Sequence, residues 1–205
     1  MSESGATHAS VTRSTYDRVA RVFHERTVDR RGIRHMRRQF MAALPPHALI
    51  LDIGCGPGVD ANHYRGEGHR AIGIDLSHGM LRLASQEYGA GVYVQADMRH
   101  LPCGRTADGI WACASMLHLE REEFPGALAV FGSVLKPGGI LCFSLKAGEG
   151  DEWDTRYGAD CRRWFTFWSE ADVDGHLRDH GFESLDPEQD RPDGPSWIRR
   201  LVRRR

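Results

Sequence analysis

A chain of 205 residues suits one domain with a substantial core. Its 27 Lys and Arg nearly balance 28 Asp and Glu, a net charge of −1, so no global field draws it to nucleic acid or a membrane. No apolar run approaches the ~20 residues of a membrane helix, and Met1 to His8 lacks a signal-peptide core and reads as a frayed tail. Five cysteines without Cys-x-x-Cys pairing fit a reducing cytoplasm. Composition leaves the oligomeric state open.

The predicted elements begin with a helix over 12–29, where Tyr16, Val19, Ala20 and Phe23 share one face. A second, over 30–43, sets Ile33, Met36 and Phe40 on one side and most of Arg30, Arg31, Arg34, Arg37 and Arg38 on the other. That basic side is either a solvated face or a surface for an anionic substrate or RNA backbone. With 25 of 27 basic residues being Arg, compositional bias weighs on that choice. Pro45-Pro46 ends the helix, dividing the single domain into an N-terminal helical cap (1–46) and an α/β core (47–205).

Leu49 to Gly58 is the stretch around which the core is organised. Its first half, Leu-Ile-Leu-Asp-Ile, reads as a short strand buried on both faces. Gly54, Gly56 and Gly58 then allow a tight turn that side chains would block. Asp52 stands at the carboxyl end of that strand, the end where open α/β sheets bind ligands. Ala71 to Ile74 ends likewise in Asp75, and Val92 to Ala96 in Asp97. The gaps leave room for crossover helices, so three adjacent parallel strands would present three carboxylates along one edge.

A helix from near Pro57 leads to Gly66 and Gly68, and Ser77 is the N-cap of the next, with Met80, Leu81 and Ala84 facing the sheet. Gly109 to Ala114 is the fourth strand, and Ser115-Met116-Leu117-His118-Leu119 spills from it toward the ligand edge. A helix over 122–135 carries Pro125 in its first turn. Pro137-Gly138-Gly139 turns into a fifth strand, Ile140 to Leu145. Ser169 with Asp172 opens a last helix that Gly181 closes. Ser196 to Val202 reads as an antiparallel strand whose arginines guard an edge.

Residues 151–168 hold six of the chain's eighteen aromatics, more apolar area than a surface loop normally carries. The segment starts at the ligand edge, so 146–168 reads as a lid-like insert, with a local mini-core as the alternative. Lys146, Tyr157, Trp164 and Phe165 are its candidate substrate contacts. Histidine and cysteine placement shows no metal-ligand spacing.

A dinucleotide loop would read Gly-x-Gly-x-x-Gly to hold a pyrophosphate. Here the spacing is Gly-x-Gly-x-Gly, with an acid two residues before it. Three carboxylates suit an ammonium, a ribose diol and an adenine amine, the groups of S-adenosylmethionine.

The chain resembles the class I S-adenosylmethionine-dependent methyltransferases through Leu51 to Gly58, Gly73 to Ser77, Ala96-Asp97-Met98 with Leu101-Pro102, and Leu135 to Gly139. The resemblance spans roughly residues 11–185 and implies a doubly wound, mostly parallel seven-stranded sheet with an antiparallel last strand. It implies methyl transfer by direct displacement to a small-molecule acceptor, with S-adenosylhomocysteine as product. A tRNA or protein methyltransferase and a non-catalytic cofactor-binding subunit are the alternatives; nucleic acid and membrane are not expected partners. The implied cofactor contacts are Tyr16, Asp52, Gly54, Cys55, Gly56, Asp75, Leu76, Met80, Asp97, Met98 and Ala114. His118, whose ordinary pKa lies near working pH, is the candidate general base. His24, beside Phe23, is the reserve candidate on the substrate side.

Overall fold

The computed structural model describes residues 7–89, 91–185 and 197–205. Most of the expected N-terminal tail, and Ser196, lie outside them. Helix α1 (His8–Thr27) opens on Thr7, whose hydroxyl accepts the Ser10 amide at 3.2 Å. A short 3₁₀ turn over Arg31–Ile33 leads into α2 (Arg34–Ala42). The core follows as β1 (Leu49–Ile53), α3 (Val59–Gly66), β2 (Arg70–Asp75), α4 (His78–Tyr88), β3 (Tyr93–Gln95) and β4 (Ala107–Cys113). Then come α5 (Phe124–Val134), β5 (Leu135–Ala147), β6 (Asp151–Asp154), β7 (Arg163–Trp168), α6 (Glu170–Asp179), β8 (Phe182–Ser184) and β9 (Trp197–Arg204).

One sheet holds nine described strands in the order β3-β2-β1-β4-β5-β7-β6, with β9 also paired to β5 and β8 to β9. β1 to β5 are parallel, and β9 runs antiparallel to β5 from Ile140 to Lys146. The sequence anticipates seven strands; the other two are the hairpin β6–β7, made from the aromatic segment. β7 pairs with β5 in parallel at Lys146 and Ala147, where β9 stops. At Lys146, β5 therefore has Phe167 of β7 on one edge and Trp197 of β9 on the other, and β7 continues the edge that β4 leaves at Ser144. β5 also begins earlier than expected, at Leu135, because Pro137-Gly138-Gly139 forms an irregularity within the β4–β5 pairing rather than a turn before it.

Strand alternation divides the core. Ile50, Ala71 and Trp111 pack on one sheet face against Met36 and Phe40 of α2 and Ala61 and Tyr64 of α3. Leu51, Ile53 and Ile110 pack on the other with α5 and α6, through Phe124, Leu128, Phe131, Val173 and Leu177.

Helix α1 lies over the carboxyl ends of the strands and packs on α4 through Ala20, Met80 and Leu83. Two features allow that approach. Asp17 accepts from the Ser77 hydroxyl and the Gly79 amide, both at 2.7 Å, at the positive end of α4. Gly79 has no side chain to hold the helices apart: a Cβ there would lie 2.6 Å from the Asp17 carbonyl oxygen. Gly79→Ala is therefore expected to destabilise the fold by about 1–3 kcal/mol, the scale of an overpacked contact. Urea unfolding should show it as a lower midpoint. The other end of α1 is fastened to the hairpin: Thr15 donates to the Arg162 carbonyl at 2.7 Å, and Thr12 accepts the Trp164 amide at 2.9 Å.

Candidate active site

The glycine loop leaves β1 with three left-handed residues, Gly54, Gly56 and Gly58. The Gly54 and Cys55 amides both donate to the Ile74 carbonyl, at 2.7 and 3.0 Å, which ties the loop to the end of β2. Gly54 also passes directly over Ser115, whose hydroxyl donates to the Ile53 carbonyl at 2.7 Å. Asp75, the last residue of β2, closes the other side. Its two oxygens accept the Gly56 and Ser77 amides, each at 2.8 Å. Burial raises its pKa while those amides work in the opposite direction. Each oxygen keeps a lone pair for another donor, which is what a vicinal diol needs.

These groups line a cleft under α1. Tyr16, Gly54, Cys55, Gly56, Asp75, Leu76, Met80, Asp97, Met98 and Ala114 all form its wall, as the sequence anticipates for a cofactor site. Asp52 does not. On β1 it alternates with Leu51 and Ile53, so its carboxylate turns to the α2–α3 face and is buried there, with its pKa raised by desolvation and by Asp60. Asp97 is on the wall but has a partner within the chain: Arg99 grips it through Nε at 2.9 Å and Nη2 at 2.5 Å, and also reaches Glu123. That pairing lowers the Asp97 pKa against the opposing effect of burial. The Arg99 clamp was not legible in the sequence, because an aspartate followed two residues later by arginine is unremarkable in a basic chain.

A second cleft meets the first. Tyr16, Phe23, Arg30, Cys113, Ala114 and His118 belong to both walls. Ala114 holds a left-handed conformation (φ 54°) that alanine rarely adopts, and its amide donates to the Ser144 hydroxyl at 2.9 Å. Strain of this kind gathers where a chain must bend into a site.

His118 lies at the junction, as expected, but is not poised to titrate near neutrality. Its Nδ1 donates to the Trp164 carbonyl at 2.6 Å, so Nε2 carries the lone pair and accepts from the Tyr16 hydroxyl at 2.9 Å. Burial and the nearby Arg163 guanidinium oppose protonation, and the imidazole pKa falls to about 4. Burial also pushes Tyr16 up to about 12, although Arg163 works against the rise. Arg163 completes the chain of contacts: it donates to the Tyr16 oxygen at 3.1 Å and to Asp154 at 2.6 Å.

The hairpin supplies Tyr157, Arg163 and Phe165 to the far wall, and β5 adds Lys146. Trp164, expected beside Phe165, faces away. Neighbours on a strand point to opposite sides of the sheet, and Trp164 instead stacks on His8 at 3.9 Å. Arg163 occupies the cleft side in its place. His24 is also elsewhere: the α1 face carrying Tyr16, Phe23 and Thr27 lines the cleft, whereas His24 is turned to α4, 3.9 Å from Glu87.

Residues 50–139 match a family model described as a methyltransferase domain. That match, over somewhat less than half of the chain, supports a methyltransferase domain of the class I, S-adenosylmethionine-dependent kind. Malonyl-[acyl-carrier protein] O-methyltransferase of Serratia marcescens is 36% identical to it over 119 residues, 55% of this chain and 46% of the relative. The enzyme of the same name from Yersinia pestis is 39% identical over 106 residues, 51% and 39% of the two chains. The chain thus spans less than half the length of either relative. Among solved structures, a Burkholderia thailandensis 1,6-didemethyltoxoflavin N1-methyltransferase with bound 1,6-didemethyltoxoflavin and S-adenosylhomocysteine superposes with TM-score 0.77 at 22% identity, over 100% of this chain and 93% of that one. Magnesium protoporphyrin IX methyltransferase of Synechocystis PCC 6803, with bound S-adenosylmethionine, gives 0.75 at 18% identity over 100% of both. At those identities the likeness is one of fold. No described helix is long and apolar enough to cross a membrane.

Proposed function

We propose that this chain transfers a methyl group from S-adenosylmethionine to a small-molecule acceptor by direct displacement. The observation that carries the reading is the pair of clefts meeting across Tyr16, Ala114 and His118, since donor and acceptor must face each other through one opening. The first cleft fits the cofactor's chemistry: Asp75 has two free lone pairs for the ribose diol, and Leu76, Met80 and Met98 offer an apolar bed for adenine. The Gly54, Cys55 and Gly56 amides already have partners within the chain, so the amino-acid carboxylate falls to the guanidinium groups of Arg13 and Arg30 on the same wall. Bound there, the cofactor supplies an electrophilic methyl carbon and its own leaving group. The protein's share is alignment, which by itself can lower a barrier by ~7–11 kcal/mol.

The junction also restricts the acceptor. His118 is the nearest basic group, yet it is a weak base with its lone pair engaged by Tyr16. An acceptor that arrives deprotonated needs no stronger base, and His118 then positions Tyr16 and the wall. The arginines over 30–38 do not favour a nucleic-acid acceptor, since three of the five have carboxylate partners. Arg30 and Arg37 pair with Asp60, and Arg31 with Asp29.

Calorimetry with S-adenosylmethionine tests the cofactor half of the reading; no saturable binding refutes it. The pH–rate profile tests the other half. An ordinary histidine base would give a limb near 6.5, with the rate rising as the imidazole loses its proton. With the pKa at about 4, the imidazole is already neutral above pH 5, so His118 should impose no limb between pH 5.5 and 8. Single-turnover rates of His118→Gln should stay within about tenfold of wild type, against the 10²–10⁴-fold loss expected on removing a general base.

A further inference from the structure

We propose that the acceptor carries a carboxylate remote from its reacting atom, and that Lys146 binds it; the inference rests on the acceptor cleft of the reading above. Lys146 stands on β5 between the two strands that flank it, opposite Trp197 of β9 on one edge and Phe167 of β7 on the other. Its ammonium is surrounded by three rings, 5.6 Å from the Trp197 centroid, 5.9 Å from Phe167 and 5.4 Å from Phe165. Among the described residues it has no carboxylate partner. Ring faces attract a cation but accept none of its N–H bonds.

The rest of the cleft has the same sign. Arg30, which pairs with Asp60 behind the wall, lines it with Arg156, Arg163, Arg199 and Lys146, and among the described residues no Asp or Glu is on the wall. Behind the wall, Arg156 and Arg163 share the single carboxylate of Asp154, each at 2.6 Å. A cleft with excess positive charge and one ammonium without a counter-ion selects an anion. Tyr157, Phe165 and Trp197 give it flat apolar walls, which suit an aromatic body.

Phe165 sets the scale. It stacks on His118 at 5.1 Å, and the Lys146 ammonium is 5.4 Å from the same ring's centroid. An anion held by Lys146 is therefore about one ring away from the junction where the methyl group arrives, so the anchoring group and the methylated atom are different parts of the acceptor. The acceptor class is an aryl carboxylate with a second, nucleophilic substituent.

The test uses 2-naphthoate, its neutral isostere 2-naphthamide and 2-naphthyl phosphate as probes, followed by ligand-observed NMR titration of the full chain with and without S-adenosylhomocysteine. Naphthoate should bind saturably and at least about tenfold more tightly than naphthamide, the scale of one charge-assisted hydrogen bond. Lys146→Met, which keeps the apolar stem between the rings, should remove that preference and leave naphthamide binding unchanged; Lys146→Arg should retain it. Equal binding of acid and amide, no binding of the acid, or an unchanged preference in a folded Lys146→Met protein overturns the proposal. Tighter binding of the phosphate overturns the carboxylate assignment in favour of a phosphate anchor. Cofactor affinity is measured separately in the same samples. Loss of cofactor binding with naphthoate binding intact counts against the cofactor reading alone, and the reverse counts against the Lys146 anchor alone.

Discussion

Gly54→Ala is expected to lower the melting temperature by about 4–20 °C and to abolish the stabilisation that S-adenosylmethionine confers. Two costs combine. A residue with a Cβ in the left-handed region loses roughly 1–2 kcal/mol, and Gly54 has φ 68°. The new methyl would also overlap Cβ of Ser115 and approach its Oγ to 3.0 Å. Neither side has room to give. Gly54 is fixed to the Ile74 carbonyl at 2.7 Å, and Ser115 to the Ile53 carbonyl at 2.7 Å. Overpacking of this kind adds about 1–3 kcal/mol, and for a chain of this length each kcal/mol moves the midpoint by about 2–4 °C. Differential scanning fluorimetry with and without cofactor reads both effects. A native midpoint with a full cofactor response would mean that the loop does not rest on Ser115.

Asp75→Ala should weaken S-adenosylmethionine binding by ~1.5–3 kcal/mol, roughly 10–100-fold, on the scale of hydrogen bonds to a charged group. The carboxylate has two duties. It accepts the Gly56 and Ser77 amides, which shapes the loop and starts α4, and it offers its remaining lone pairs to the cleft. Asp75→Asn separates them poorly by design: its amide group would point N–H donors at an N–H, so it should bind little better than Ala. Titration calorimetry on folded variants reads the change, and unchanged affinity in Asp75→Ala would remove Asp75 from the ribose site.

The parts of the site that the sequence made legible are those where one residue type admits one local geometry. Apolar runs ending in Asp52, Asp75 and Asp97, with glycines after the first, fix parallel strands, a tight loop and the edge where a ligand binds. Ser77 as N-cap and Gly181 as terminator follow from the same local chemistry, and both hold. What the sequence did not show depended on side-chain direction. Read as a loop, residues 163–168 allow Trp164 and Phe165 one pocket; as a strand they cannot share it, and Arg163 takes the place of Trp164. Asp52 follows the same rule. The expectation that Asp52 reaches a ligand came from its position at a strand end, but the pleat turns it to the other side. The His118 environment was beyond any local reading: its partners are 102 residues before it and 46 after it.

The fastening of α1 to the hairpin has a consequence for how the molecule is made. Thr15 and its partner Arg162 are 147 residues apart. At synthesis rates of ~5–20 residues per second, α1 leaves the ribosome roughly seven to thirty seconds before its seat on the hairpin exists. Through that interval Thr12 and Thr15, buried in the finished protein, lack their partners on the hairpin. Helix α1 can therefore settle on α4 early, through Asp17 and Ala20, but gains its second seat only after the chain has passed Trp164. A nascent chain arrested before that residue has the glycine loop and the three aspartates but no hairpin under Thr12 and Thr15, which leaves that half of α1 for a holding chaperone.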